Sequence, residues 1–280
     1  MREIQVSKIT DAIARLCTEA NITLSEDMEN AVKNAADRET SQVGCGVMST
    51  LLENLKIARA EDIPICQDTG MAVVFLEIGQ DVHISGGDLT KAVNAGVAKG
   101  YTEGYLRKSV VSDPILRVNT NDNTPAVIHT SIVPGDRLRI TLTPKGFGSE
   151  NMSRIHMLKP ADGEDGIKNA IVNTVIEAGP NACPPVVVGV GIGGDFEYAA
   201  IMAKKALTRN TGEASPLPHI AAMEAEVLDR INASGIGPGG LGGQVTALAV
   251  HINTYPTHIA GLPVAVNMCC HVNRHASAVL

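Results

Sequence analysis

The chain has 280 residues, 44% of them hydrophobic and 19% charged, so it is long enough to bury a sizeable core in one large domain or two small ones. Its net charge of -7 and its aromatic content of 2% argue against a nucleic-acid binder, which needs a basic surface and stacking side chains. No apolar run is long enough to cross a bilayer, and the polar N-terminus without an apolar leader predicts a cytoplasmic protein with reduced cysteines.

The first 60 residues predict a helical layer, because apolar residues recur at helical spacing in three segments. These segments are 3–19, 26–37 and 46–60. A buried strand is expected at 72–78, followed by a helix that Asp88 caps and that ends near Tyr105. Two β-rich segments, 125–133 and 137–143, surround a Pro-Gly-Asp sequence and predict a hairpin.

The second half of the chain alternates between strand patterns and helix patterns. Strands are expected at 185–190, 244–252 and 263–268, and helices at 166–178, 195–207 and 219–233. The sequence contains no internal repeat and no long linker. These patterns predict an α/β (mixed α+β) fold, in which a mixed β-sheet is flanked by helices, and a single domain over residues 1–280.

Six cysteines are present and none belongs to a C-x-x-C pair, which disfavours zinc ribbons and thioredoxin-like redox sites. Cys17 and Cys45 lie in helical segments and are expected to be packing residues. Cys66, Cys183 and Cys270 instead lie in loops with polar neighbours. Taken alone, each of these three is as well explained as a buried cysteine at a strand end. Because they are far apart in the sequence, a site that they share would require distant segments to converge.

Glycine-rich segments offer an alternative function. The sequence Gly189–Gly194 matches G-x-G-x-x-G between a predicted strand and a predicted helix, which is typical of a dinucleotide-binding turn. No second strand ending in an acidic residue follows, which disfavours NAD binding, but an NAD-dependent oxidoreductase stays an alternative. The segment 235–243 is expected to allow close backbone packing, and the loop 144–151 suits an anion or forms an ordinary glycine turn.

Four motifs together resemble the iron-sulfur class I fumarate hydratases, with the α subunit of the two-subunit form as the nearest match. They are Ile65-Cys66-Gln67-Asp68-Thr69-Gly70, Lys145 to Asn151, Ala182-Cys183-Pro184-Pro185 with Gly189 to Gly193, and Cys270 with Arg274-His275. The resemblance covers nearly the whole chain. The related L-tartrate dehydratase α subunit shares the cysteine motifs, whereas the sequence Gly148-Ser149-Glu150-Asn151 favours fumarate hydratase. The chain departs from the family at Phe147, where family members often have glycine.

The resemblance implies that Cys66, Cys183 and Cys270 bind three irons of a 4Fe-4S cluster and leave the fourth iron as an open Lewis acid. Cys269 is then a packing residue. The resemblance also implies two catalytic groups and three substrate-binding groups, namely Asp68 and His258, and Gln67, Arg107 of the Tyr-Leu-Arg motif and Gly148. The ordinary alternatives are a local turn at 67–68, a surface arginine and a structural histidine.

The family's general base, a threonine, and further carboxylate-binding residues come from a C-terminal domain or from a separate β subunit. The resemblance therefore implies a hetero-oligomer that takes a small dicarboxylate, hydrating fumarate reversibly to L-malate, and that is active only with a β subunit. The alternatives are an L-tartrate dehydratase α subunit, the NAD-dependent oxidoreductase built on Gly189–Gly194, and an inert scaffold whose cysteines are merely buried.

Overall fold

A computed structural model describes residues 2–280. The helices are α1 (Val6–Ile22), α2 (Glu26–Arg38), α3 (Gln42–Glu61), α4 (Leu89–Glu103), α5 (Phe147–Glu150), α6 (Gly163–Ala178), α7 (Phe196–Ala206) and α8 (Pro218–Asn232). The strands are β1 (Arg2–Gln5), β2 (Met71–Gly79), β3 (Val82–Ser85), β4 (Val127–Val133), β5 (Leu138–Lys145), β6 (Arg154–Leu158), β7 (Val186–Gly194), β8 (Ala247–Thr257), β9 (Leu262–Cys269) and β10 (Ala276–Val279).

The predicted N-terminal helices are confirmed as α1, α2 and α3, but the first begins later than expected. Residues 2–5 form β1, which pairs in parallel with β3 and places Ile4 opposite Ile84. Pairing with a strand some 80 residues further on is a long-range interaction that helical spacing cannot reveal. The predicted cap of α4 is confirmed, because the Asp88 carboxylate accepts a hydrogen bond from the Lys91 N–H at 2.7 Å.

The chain divides into two compact units. Unit 1 comprises residues 2–25, 55–147 and 274–280, and unit 2 comprises residues 26–54 and 148–273. In unit 1, a four-stranded sheet has the order β10-β5-β2-β4, and apolar side chains of α1 and α4 pack with it into one core. The division into two compact units does not test the prediction of a single domain over residues 1–280, which stays a prediction.

The predicted hairpin in unit 1 is wrong. Strands β4 and β5 both form, but β2 lies between them, parallel to β4 and antiparallel to β5. The connecting Pro-Gly-Asp turn crosses the end of β2, where the carbonyl of Gly135 accepts the Asp81 N–H at 2.9 Å and the carbonyl of Arg137 accepts the Gly79 N–H at 2.8 Å. The mostly buried residues of β2 gain two hydrogen-bonding neighbours in this order, which a hairpin of β4 with β5 would not give them.

Unit 2 is built on a second four-stranded sheet with the order β6-β9-β7-β8. Strand β7 is parallel to β8 and antiparallel to β9. Val188 and Val190 of β7 share a core with buried side chains of α6 and α8. The alternate residues Gly189 and Gly191 point to the other face, where a Cβ on either would overlap a backbone carbonyl of α7. The missing side chains therefore let α7 pack closely on the sheet.

The fold class is confirmed, since both units contain a mixed sheet flanked by helices. Parallel pairs β2–β4 and β7–β8 accompany antiparallel pairs β2–β5 and β7–β9. Within residues 2–280, every helix is too short or too polar to serve as a membrane span.

Candidate active site

Cys66 lies in unit 1, in the loop that connects α3 to β2. Its side chain is half-buried, and the Asp68 N–H donates a hydrogen bond to its sulfur at 3.4 Å. The loop is anchored on the other side by the Ile65 N–H, which donates to the Asn21 carbonyl at 2.9 Å. The hydrogen bond from the Asp68 N–H fixes the position of the Cys66 sulfur within its own loop.

The Asp68 carboxylate joins two loops of unit 1. One oxygen accepts the Gly70 N–H at 3.0 Å, which is the local turn considered as the ordinary alternative, and the other accepts the Phe147 N–H at 2.9 Å. A Cβ on Gly146 would lie 3.1 Å from the second oxygen, so this glycine lets the loop approach the carboxylate. Asp68 is half-buried, and a carboxylate has lone pairs beyond those used by two donors.

Arg274 also supports this loop. It stands in the motif of Cys270 with Arg274-His275, but the sequence predicted no role for it. It is 3% exposed and donates from Nη2 to the Asp68 carbonyl and from Nε to the Pro144 carbonyl, the latter at 3.4 Å. Its Nη1 is buried and has no hydrogen-bond partner among residues 2–280. The guanidinium thus places a buried positive charge next to the Asp68 and Pro144 carbonyls, with only part of its donors used.

A buried tyrosine completes the support of this loop and links it to Arg107. The hydroxyl of Tyr101 donates to the Thr69 carbonyl at 2.6 Å and also lies 3.0 Å from the Gly70 carbonyl, and burial raises its pKa. The Thr69 hydroxyl donates to the Arg107 carbonyl at 3.1 Å. Unit 1 therefore brings Cys66, Asp68 and Arg107 into one region; Gln67 lies within this loop and, like Arg107, is exposed.

Cys183 and Cys270 lie close together in unit 2. Cys183 has left-handed backbone angles, φ 55° and ψ 63°, and stands just before β7 with its side chain exposed. Cys270 is half-buried directly after β9, and the next residue, His271, has its Nδ1 3.2 Å from the Cys183 carbonyl oxygen. The antiparallel pairing of β7 with β9 brings these two chain segments to the same end of the sheet.

The other cysteines are distinguished by their surroundings. Cys17 and Cys269 are buried, and burial raises the pKa of the Cys17 thiol to about 12, which keeps it protonated. The expectation that Cys45 is a packing residue is wrong. This side chain is exposed on α3, where its thiol donates to the Glu39 carbonyl at 3.2 Å.

Gly148 lies in the short helix α5 and His258 in a loop, both in unit 2. A Cβ on Gly148 would meet no atom within 4 Å, so local packing does not require glycine there. His258 is exposed in the connection from β8 to β9, and its Nδ1 accepts the Ala260 N–H at 3.2 Å. In the neutral ring this bond leaves the proton on Nε2, which is then available to a ligand as a donor. The predicted roles of both residues stay predictions.

Comparison with known proteins decides the family. The model of the family described as "Fumarate hydratase (Fumerase)" matches residues 10–279. The chain belongs to the fumarate hydratase family. A Methanocaldococcus jannaschii protein, named as a candidate L(+)-tartrate dehydratase subunit alpha, is 42% identical over 275 residues, 96% of each chain. The L(+)-tartrate dehydratase subunit alpha of Escherichia coli strain K12 is 30% identical over 279 residues, 98% of this chain and 91% of its own. The chain is therefore a hydro-lyase.

Membership of the fumarate hydratase family raises the question of whether these cysteines suit an iron-sulfur cluster. Within residues 2–280, no three His, Cys, Asp or Glu side chains form a site for a single metal ion. A cluster is different, because each cysteine binds its own iron. Cys66, Cys183 and Cys270 lie between secondary-structure elements and none is buried, whereas Cys17 and Cys269 are buried. The donor chemistry of the three loop cysteines therefore fits a cluster.

The structure of this chain argues against the dinucleotide-binding alternative. Gly189–Gly194 lies within β7 instead of forming a turn, and Gly189 and Gly191 are needed for the contact with α7. Helix α7 is capped by Asp195, whose carboxylate accepts the Tyr198 N–H at 2.9 Å. An acidic cap repels the pyrophosphate that such a helix start would have to bind.

Proposed function

We propose that this chain is the α subunit of an iron-sulfur hydro-lyase, with Cys66, Cys183 and Cys270 as the ligands of a 4Fe-4S cluster. Family membership and the Cys66–Gly70 loop carry the proposal. This loop places a half-buried cysteine two residues from a carboxylate whose position is fixed by two backbone donors. When bound, the cluster supplies a Lewis acid beside the substrate.

The first candidate reaction is the reversible hydration of fumarate to L-malate. Hydration adds a hydroxyl to one carbon and a proton to its neighbour. Asp68 would hold the proton exchanged with the water or hydroxyl group, since its oxygens keep lone pairs beyond those bonded to Gly70 and Phe147. His258 would relay that proton, while Gln67, Arg107 and Gly148 bind the dicarboxylate, Arg107 through its guanidinium.

The second candidate substrate is L(+)-tartrate, and two observations favour it. The relatives from M. jannaschii and E. coli both carry the name of its dehydratase. In addition, two residues of the sequence 148–151, on which the preference for fumarate rests, make contacts within the fold instead of being available to a substrate. Ser149 is buried, and the Glu150 carboxylate pairs with Lys204 and accepts a hydrogen bond from the Asn267 amide at 2.8 Å.

A β subunit is the proposed partner, and it would supply the general base and further carboxylate-binding residues. Both relatives are named as alpha subunits. The exposed aromatic side chains of the chain are consistent with a protein that binds a partner. The chain has three Phe and four Tyr residues, and five of these seven side chains are 40–93% exposed. Aromatic side chains are enriched at protein interfaces, where burial of their large apolar area contributes most of the binding energy.

The cluster is tested by measuring iron and acid-labile sulfide per chain after anaerobic reconstitution. We expect about four of each in the wild type and a loss in Cys66→Ser, Cys183→Ser and Cys270→Ser. Cys45→Ser is the matched control, because Cys45 is exposed like Cys183 and lies in the same unit. Full iron content in the three loop variants, or equal loss in Cys45→Ser, contradicts the proposed ligands.

The substrate is tested on the complex reconstituted with its β subunit. Fumarate, L-malate and L(+)-tartrate are supplied separately, and kcat/KM is compared. A higher value for fumarate and malate supports the first candidate, and a higher value for tartrate supports the second. Turnover of none of the three by the iron-loaded complex would contradict both.

A further inference from the structure

Glu39 is a buried carboxylate that ties together two distant segments of unit 2. It is 5% exposed, and one oxygen accepts the N–H groups of Thr40 and Ser41 at 2.9 and 2.8 Å. The other oxygen accepts the N–H groups of Gln244 and Val245 at 2.8 and 3.0 Å. Burial alone would raise the pKa of Glu39, but these four hydrogen bonds hold it below its ordinary value.

Two glycines make room for this carboxylate. A Cβ on Gly44 would lie 2.8 Å from the Cγ and Cδ atoms of Glu39, and a Cβ on Gly243 would lie 2.7 Å from one carboxylate oxygen. Gly243 also has a φ of +142°, which favours glycine. The surroundings are thus shaped around a glutamate at this position.

The segment that Glu39 anchors contacts the loop of Cys183. Gln244 and Val245 directly follow the glycine-rich segment 235–243, in which the Gly239 N–H donates to the Pro184 carbonyl at 2.7 Å. A Cβ on Gly240 would overlap the ring of Pro180, so the two backbones lie in close contact. The Cys183 N–H itself donates to the Pro180 carbonyl at 3.0 Å. The glycine-rich segment therefore holds both residues that flank the turn of Cys183.

We infer that Glu39 is a positioning residue for Cys183, acting through the glycine-rich segment 235–243. The role of Cys183 as a cluster ligand rests on the proposed function. The left-handed backbone of Cys183 needs external support, because a residue with a Cβ rarely adopts it. The anchored glycine-rich segment provides that support through its contacts with Pro180 and Pro184.

The test compares Glu39→Gln with Glu224→Gln in the purified chain without metal. An amide keeps one acceptor oxygen but presents its NH₂ group to two of the four backbone donors. Glu224 is the control for a buried carboxylate elsewhere in unit 2, since it pairs with Arg209 and accepts the N–H groups of Ile252 and Ser215 at 2.7 and 2.9 Å. Hydrogen–deuterium exchange is followed at the amides of Cys183 and Gly239.

We expect Glu39→Gln to accelerate exchange at both amides about tenfold or more, and Glu224→Gln to leave them close to the wild-type rate. Unchanged exchange in Glu39→Gln, or equal acceleration in Glu224→Gln, would overturn the inference. If Glu39→Gln does not fold, Gly44→Ala is measured instead, because it displaces the charged Glu39 side chain while adding a good helix former. Unchanged exchange in that variant would also overturn the inference.

A second measurement separates this inference from the proposed function. Iron loss to a chelator is timed for the reconstituted wild type and both variants, with faster loss expected only in Glu39→Gln. If Glu39→Gln exchanged its amides faster but lost iron at the wild-type rate, the inference that Glu39 positions Cys183 as a cluster ligand would be overturned. A wild type that binds no iron would contradict the proposed function alone, and amide exchange would still decide whether Glu39 positions Cys183.

Discussion

Arg274 and Arg107 contribute to the same loop of unit 1 in different ways. Arg274→Gln would leave the Asp68 and Pro144 carbonyls without their buried donor, and we expect it to lower the free energy of unfolding by about 2–3 kcal/mol. Arg107 is exposed, so Arg107→Gln should change stability by less than about 0.5 kcal/mol. Urea denaturation of the purified chain measures both. Equal destabilisation by the two variants would refute the distinction.

The same two variants distinguish a residue that stabilises the Asp68 loop from a residue that binds substrate. In the complex with the β subunit, Arg107→Gln should raise KM for the dicarboxylate, because the loss of a guanidinium weakens binding of a carboxylate. A normal KM in that variant would leave Arg107 as an ordinary surface arginine.

Asp68 is expected to matter for catalysis more than for folding. In Asp68→Asn the amide oxygen can keep one backbone donor, but the side chain can no longer exchange a proton at neutral pH. We expect kcat to fall by about 10²–10⁴-fold, the usual contribution of a positioned acid or base. Iron content should stay at the wild-type level. A normal kcat would contradict a catalytic role and would leave Asp68 only the structural role of forming the turn with Gly70.

Cys66, Asp68 and Arg107 were singled out by the resemblance to a known family, because each stands in one of its short motifs, and their roles stay predictions. Arg274 could not be assigned in this way. Its partners are carbonyls of residues 68 and 144, more than 100 positions away, and a single buried arginine leaves no periodic signal. The support of the Cys183 loop by Glu39 was missed for the same reason, since residues 244 and 245 are distant in sequence.

Strand β7 requires glycine where it meets α7. Gly191→Ala would place a Cβ against the Ala199 carbonyl and 2.9 Å from the Ala203 nitrogen, so α7 would have to move. We expect a loss of about 2–3 kcal/mol in the free energy of unfolding. Gly46→Ala is the control, since a Cβ there meets nothing within 4 Å on an exposed turn of α3. It should stabilise the chain by up to about 1 kcal/mol, and thermal unfolding of both variants checks the opposite signs.

The strands and helices themselves were largely predictable, whereas the order of the strands was not. Apolar spacing identified β2, β4 and β5, yet the turn sequence at 134–136 indicated direct pairing of β4 with β5. The insertion of β2 between them depends on residues more than 45 positions away along the chain. A turn motif reports only the local path of the backbone, and here that path crosses the end of a third strand.

Acid should lower the free energy of unfolding of the chain over a defined range of pH. Burial, with a further effect of the Arg209 charge, lowers the pKa of His251 from its ordinary 6.5 to about 4. The unfolded chain therefore binds this proton first, and stability falls as the pH drops from about 6.5 to about 4, by roughly 2–3 kcal/mol. Glu39 acts in the same direction at lower pH, because its carboxylate pKa is lowered by folding.

Denaturation curves at pH 7.5 and pH 5 check this contribution. The loss of stability between these two pH values should be smaller in His251→Gln than in the wild type. His83→Gln is the control, because His83 is exposed on β3, and it should keep the wild-type loss. An unchanged pH dependence in His251→Gln would show that the buried ring is not the group responsible.

The exposed aromatic side chains of unit 2 concern the assembly as a whole. Tyr198 and Tyr255 are in edge-to-face contact, with ring centroids 4.7 Å apart, and Phe196 begins the same helix as Tyr198. They lie at the end of β7, where the Thr257 hydroxyl donates to the Gly194 carbonyl at 2.8 Å, one residue before His258. We therefore expect a partner that reaches His258 to contact this aromatic cluster as well.

Tyr255→Ser should therefore weaken binding of the β subunit by about 30-fold, the effect of losing about 2 kcal/mol at an aromatic anchor. Ile176→Ser is the control, because it removes an exposed apolar side chain from α6 of the same unit. Titration calorimetry of each folded variant against the β subunit gives the two Kd values. Because Tyr255 is 54% exposed in the isolated chain, its loss should cost little stability, so a weakened complex would identify a contact with the partner. An unchanged Kd would place the β subunit elsewhere on the surface.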